Sequence, residues 1–206
     1  MINCNSVSIS FNKQAIVQDF SCHIKTSEKA ILHGNSGSGK SSLIKAIMGF
    51  TPYSGEISVN KTIVSPETIH AIRSQIFYLH QNIHFHEETV QHTIQSICAF
   101  QNNSINYTEH TISKVLHSCF LDKSILLQDI RSLSGGERQR IGLCIGILLN
   151  KPVWLLDEPF NGLDDDAKTV CTQLISKIDA SMIIVTHDKN WDSKSFTQIN
   201  LNGRSR

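Results

Sequence analysis

Apolar positions along the chain follow two periods, and the switches between them predict its elements. Between residues 6 and 33 apolar and polar residues alternate, as in "VSISF" (7–11) and "CHIK" (22–25), before the apolar "AIL" (30–32). This period of two predicts half-buried strands. Leu43, Ile44, Ile47 and Met48 then recur at helical spacing, with Gly49 as a stop. "GEISVN" (55–60) and "QIFYLHQ" (75–81) read as further strands. From about Thr89 to Leu127 the period becomes helical through Val90, Ile94 and Ile97, then Ile112, Val115, Leu116, Cys119 and Phe120, with polar "QNNSIN" (101–106) between. "VWLLDEP" (153–159) and "SMIIVTH" (181–187) restore strand character around a helix expected over 165–178. Both are nearly continuous apolar runs, which suits parallel strands covered on both faces. The pattern predicts an α/β sheet interrupted by an α-helical insertion.

Composition narrows the class. The 206 residues suffice for one sizeable core, and a formal net charge of +1 without like-charge blocks argues against a nucleic-acid partner. Six cysteines stand scattered with no C-x-x-C pair, which predicts buried free thiols in a reducing cytosol. "MINCNSVSIS" has no basic region leading into an apolar core, so no signal peptide is expected. The longest apolar run, "IGLCIGILL" (141–149), is nine residues, against about 20 for a membrane span. Its Gly142 and Gly146 predict close packing of a helix. These features place the chain in the cytoplasm.

Chemistry enters at Gly34-Asn35-Ser36-Gly37-Ser38-Gly39-Lys40-Ser41, a full G-x-x-x-x-G-K-[ST] motif between a strand and a helix. Glycines let backbone amides wrap phosphates, Lys40 reaches the β/γ oxygens, and the Ser41 hydroxyl is placed for Mg²⁺. The pattern points to ATP or GTP. Asp157 and Glu158 end a buried strand at the sheet edge where such folds bind ligands. Asp157 is the candidate Mg²⁺ ligand, and Glu158 the candidate base for the water that attacks the γ-phosphate. A second glycine turn, Ser134-Gly135-Gly136 in "LSGGERQR", runs into a helix and also suits an anion. His80, His84, His86 and His92 cluster in sequence, but without Cys or Asp they read as solvent- or partner-facing. Asp164, Asp165 and Asp166 form an acidic run in which Asp165 and Asp166 read as carboxylates favouring a helix N-terminus, and Trp154 reads as core.

Taken in order, these motifs resemble the ATP-binding cassette (ABC) family of ATPases over essentially the whole chain, with Leu-Ser-Gly-Gly the most specific element. The resemblance implies a P-loop NTPase with a RecA-like core, an antiparallel β subdomain and a short α-helical subdomain. The chain would be one domain, 1–206, with core and β subdomain over about 1–81 and 134–206 and the helical subdomain over about 82–133. Gln81 resembles the Q-loop glutamine, expected to sense Mg²⁺ and the attacking water. Asp164 resembles the D-loop aspartate, and His187 the switch histidine that contacts the γ-phosphate. Phe11 stands where an aromatic stacks on adenine. Catalysis would fall to Lys40, Gln81, Glu158 and His187, and Mg²⁺ to Ser41, Gln81 and Asp157. ATP contacts would come from Phe11, from Gly34, Asn35, Ser36, Gly37, Ser38, Gly39, Lys40, Ser41 and Ser42, and from Ser134, Gly135, Gly136 and Asp164. In the family the Ser134 turn closes the ATP of a second subunit bound head to tail. A homodimer sandwiching two ATP molecules is therefore expected.

Two features depart from the family pattern. Ile145 replaces an Arg common in the helix after the signature, and the segment from Gln81 to Leu133 is short. Neither removes a group needed for hydrolysis. The expected function is the ATP-hydrolysing subunit of an ABC transporter, peripheral on the cytoplasmic face of the inner or plasma membrane and docked to a separate permease near Gln81. The alternative is a non-transport ABC ATPase acting on ribosomes or DNA. Against it stand the single cassette, the lack of a long coiled-coil insertion and the near-neutral charge. A regulator without turnover is disfavoured by Glu158 and His187.

Overall fold

The computed structural model describes residues 1–12, 14–81, 83, 85, 89–100, 107–186 and 196–201. The chain divides into two compact units. The first comprises Met1–Tyr78, Pro152–Glu158 and Asp179–Arg206, and the second Leu79–Lys151 and Pro159–Ile178.

The first unit holds an antiparallel sheet of β1 (Ile2–Phe11), β2 (Gln14–Ile24), β4 (Ser54–Val59) and β5 (Thr62–Ile63), in the order β2-β1-β4-β5. Along β1 the buried positions are Ile2 and Cys4, then Val7 and Ile9. The parity flips because the register shifts between Cys4 and Val7, where Ser6 adopts a positive φ of 49°. One bulge residue turns the following side chains back to the core face. The strands therefore run longer than the alternating stretches "VSISF" and "CHIK" predict. The second sheet, in the order β6-β7-β8-β3-β9, is built from β3 (Lys29–His33), β6 (Ile76–Leu79), β7 (Val153–Asp157), β8 (Ser181–Val185) and β9 (Thr197–Asn200). Its β3–β8, β3–β9 and β7–β8 pairs are parallel. All five residues of β7 and of β8 are buried, as their apolar runs predict.

Helix α1 (Lys40–Ile47) follows β3 through the glycine loop. Its Leu43, Ile44 and Ile47 share one core with Ile9, Val17 and Phe20 of the antiparallel sheet and Val153, Leu155, Ile183 and Val185 of the parallel one. Trp154 is buried as expected, edge-on to Phe77 with ring centroids 4.6 Å apart. Helix α2 (Ile69–Ser74) and strand β9 escape the sequence pattern, one being a six-residue helix and the other the polar "TQIN".

The second unit is helical. Its elements are α3 (Val90–Ala99), α4 (Glu109–Ser118), two 3-10 turns at Lys123–Leu127 and Ile130–Ser132, α5 (Gly135–Leu149) and α6 (Asp165–Lys177). Thr89, Thr108 and Asp164 cap α3, α4 and α6 through side-chain oxygens. Each satisfies one of the amides that a helix start leaves without a partner. The 82–133 segment lies wholly within this unit, which also takes in α5 and α6. The 141–149 run forms most of α5, and Ile141 to Gly146 is buried on every face. All six cysteines are free thiols; Cys22 is half-buried and the other five are buried.

Candidate functional site

In the first unit the loop 34–39 links β3 to α1. Gly39 has φ 96°, and a Cβ there would lie 2.6 Å from Val17 Cγ2 and 2.7 Å from Ile16 Cγ2. Only glycine satisfies both the left-handed backbone and the close approach of β2. The Ser38 N–H donates to the Asn35 carbonyl (3.1 Å), tightening the loop. Among the described residues the buried Ser38 hydroxyl has no hydrogen-bond partner. An unpaired buried hydroxyl costs free energy, so its place inside a phosphate-type loop fits an oxyanion ligand.

Lys40 is buried, and its ammonium donates to the carbonyls of Gly34 (2.8 Å) and Asn35 (2.9 Å). Burial lowers its pKa, while the carboxylates of Glu158 and Asp157 act to raise it. Their field reaches Lys40 because α1 and β7 belong to one unit. Asp157, only 3% exposed, ends β7. Such a carboxylate needs a cation or donors to offset lost hydration. Its carboxylate and the Ser41 hydroxyl are both hard oxygen donors, the kind Mg²⁺ takes.

Glu158 has a positive φ of 52°, and its N–H donates to the Val185 carbonyl (2.9 Å). A left-handed backbone at a non-glycine residue costs about 1–3 kcal/mol and is held here by the β7–β8 ladder. Tyr78 stands on β6 near this site. Burial, reinforced by the Asp157 carboxylate, pushes its phenol up to about 12. No local signal could reveal it, because its proximity to Asp157 depends on tertiary structure. Phe11 ends β1 at 60% exposure, pairs with Gln14 and lies outside the core. Its hairpin leads directly to Ile16 and Val17, the residues packed on Gly39. His187 lies outside the described residues, as do His84 and His86.

In the second unit Ser134 caps α5 in a closed capping box. The Glu137 N–H donates to Ser134 Oγ (3.2 Å), and the Glu137 carboxylate accepts from the Ser134 N–H (2.8 Å) and hydroxyl (2.7 Å). Ser134 and Gly135 are exposed, and a side chain at 135 would meet nothing within 4 Å. At Gly136 a Cβ would lie 2.9 Å from the Gly162 carbonyl oxygen, so the helix start rests on the 160–163 turn. Beyond that turn, Asp164 accepts from the Ala167 N–H (2.8 Å), with Asp165 and Asp166 in the first turn of α6. Gln81 lines a cavity of about 620 Å³ with Ile83, Phe85, Gly135, Arg138 and Gln139, among others.

Hydrogen bonds from the Ser134 hydroxyl and then its N–H hold the Glu137 carboxyl below its ordinary value of 4.5. The folded pKa is therefore the lower one, so the cap's stabilisation is present above pH 4.5 and is lost as pH falls through the folded value. Glu137→Gln keeps the box geometry but not the charge. Its Tm is expected to be slightly lower than wild type at neutral pH, and the gap to close on acidification through pH 4.5. Melting curves of both proteins across that range check this.

A family model described as ABC transporter matches residues 17–161. The thiamine import ATP-binding protein ThiQ of Histophilus somni is 32% identical over 91% of this chain and 87% of its own. A probable ABC transporter ATP-binding/permease protein of Haemophilus influenzae is 30% identical over 90% of this chain, which spans only 35% of that longer protein. Among solved structures, a bacterial ABC transporter cassette in dimeric form superposes with a TM-score of 0.82 at 20% identity, over 100% of this chain and 97% of that one. The chain belongs to the ABC transporter family.

Proposed function

We propose that the chain forms a head-to-tail homodimer at the cytoplasmic face of a membrane, where Mg²⁺-dependent ATP hydrolysis drives transport through a separate permease. The observation that carries the nucleotide part is the glycine loop, with Lys40 held on two carbonyls and the buried Ser38 hydroxyl without a partner among the described residues. Ser41 and Asp157 would hold Mg²⁺, which neutralises charge on the phosphates when bound. Glu158 would take the proton of the attacking water. The Q-loop role of Gln81 and the switch role of His187 rest on the family resemblance. The exposed Ser134-Gly135 start of α5 presents a positive helix end to an anion on another molecule. ATP held between two chains would act as part of their interface, so its greater affinity for the closed dimer drives closure.

The permease reading draws support from two relatives. One pairs ATP-binding and permease parts in a single protein, and the ThiQ relative is an import ATP-binding protein of similar length. No described helix is long and apolar enough to cross a membrane. Tagged chain purified from detergent-solubilised membranes of its own cell is expected to bring down an integral membrane protein. Recovery with ribosomes or DNA, and with no membrane protein, would exclude the transport role.

A further inference from the structure

Gln139 is a polar side chain in a place that does not suit one. It is 3% exposed on α5, just before the apolar Ile141–Leu149 run. Its Nε2 donates to the backbone carbonyl of Gln81 (3.0 Å), while its Oε1 has no partner among the described residues. A half-satisfied buried amide is a net cost for the fold alone, because an apolar side chain of the same shape would leave no unpaired acceptor. The bond to Gln81 is what the glutamine gains.

The same helix seats the residues on either side of Gln81. At Gly142, one turn after Gln139, a Cβ would lie 2.5 Å from Leu79 Cδ1 and 2.9 Å from Ile83 Cδ1. The α5 backbone therefore carries Leu79 and Ile83, and Gln139 holds the carbonyl between them. The same helix begins at the capped Ser134 turn, only five residues before Gln139, a rise of about 8 Å. Gln81 and Gly135 also line one cavity. The turn offered to a second chain and the loop bearing Gln81 are thus fixed to one rigid rod.

We infer that Gln139 is a positioning residue, which sets Gln81 relative to the signature turn by holding its main chain. The inference rests on the reading of Gln81 as a residue of the hydrolytic site. Gln139 would act through the Gln81 main chain and not on the nucleotide itself. Any shift of the loop around Gln81 is carried along α5 to Ser134 and Gly135, and so reaches the surface proposed to close on the partner's ATP.

Steady-state ATPase kinetics of the purified chain test this with Gln139→Met, Gln139→Glu, Gln81→Ala and the two double variants. Methionine matches the shape without a donor; an ionised glutamate keeps a polar head but cannot donate. Each is expected to lower kcat about tenfold, the effect of one lost hydrogen bond. KM for ATP should stay within about twofold, because the phosphate loop is untouched. In the Gln81→Ala background neither Gln139 variant should lower kcat further, since the group being positioned is gone. A merely structural role would instead give losses that multiply, and that result overturns the inference. So does a wild-type kcat in both Gln139 variants while Gln81→Ala is impaired. Wild-type activity of Gln81→Ala overturns the reading of Gln81 itself, and the inference with it.

Discussion

Glu158→Gln is expected to lower kcat for ATP hydrolysis by about 10²–10⁴-fold while leaving ATP binding intact. The amide matches the carboxylate in size and can occupy the same backbone, whose positive φ is held by the bond to the Val185 carbonyl. It cannot take a proton from water. The groups proposed to bind phosphate, Lys40 and the 34–39 loop, are unchanged, and the negative charge proposed to face the γ-phosphate is removed. Binding should therefore persist or tighten, and the ATP-closed dimer should accumulate because the step that opens it is blocked. Size-exclusion chromatography with and without ATP, alongside a phosphate-release assay, reads both effects. Hydrolysis by Glu158→Gln at the wild-type rate would remove the general-base role and leave the residue as a strained strand end.

Part of this site is legible in the sequence because its chemistry is local. Gly34 to Ser41 are contiguous, one loop and the first two residues of α1, and Asp157-Glu158 follow an apolar run that reads as a buried strand. The start of α6 is likewise marked by the carboxylates Asp165 and Asp166 in its first turn. Other parts depend on contacts that no local pattern carries. The parity flip between Cys4 and Val7 hides the length of β1, because a bulge breaks the period that identifies strands. Polar "TQIN" gives no strand signal, yet it pairs with β3. Gln139 binds a backbone carbonyl 58 residues away, so neither its spacing nor its partner's identity could mark it. Tyr78 is sensed through the Asp157 charge, which is a matter of strand order. Helix α5 packs against α3 and α4, contacts between segments far apart in sequence that no local pattern carries.

Mixing two inactive variants should restore hydrolysis, and this decides whether the Ser134 turn serves its own chain or another. Lys40→Ala removes the buried ammonium of the phosphate loop and is expected to weaken ATP binding by about 10–100-fold, the loss of a charged hydrogen-bonding group. Ser134→Arg places a long cation at an exposed turn and breaks the capping box with Glu137. It should spare ATP binding by the monomer and block dimer closure at that turn. Each homodimer then has two defective sites. If the turn acts on the partner's nucleotide, a dimer of the two variants combines the intact loop of the Ser134→Arg chain with the intact turn of the Lys40→Ala chain. Its second site carries both defects. Random assortment of equal amounts makes half the dimers mixed, so about one quarter of the wild-type number of sites should be active. A turn serving its own chain would yield no recovery at any ratio, because neither chain then holds both intact elements. Titrating one variant against the other at fixed total protein separates the outcomes: activity in trans rises to a maximum near equal amounts, and activity in cis stays at the level of the parents.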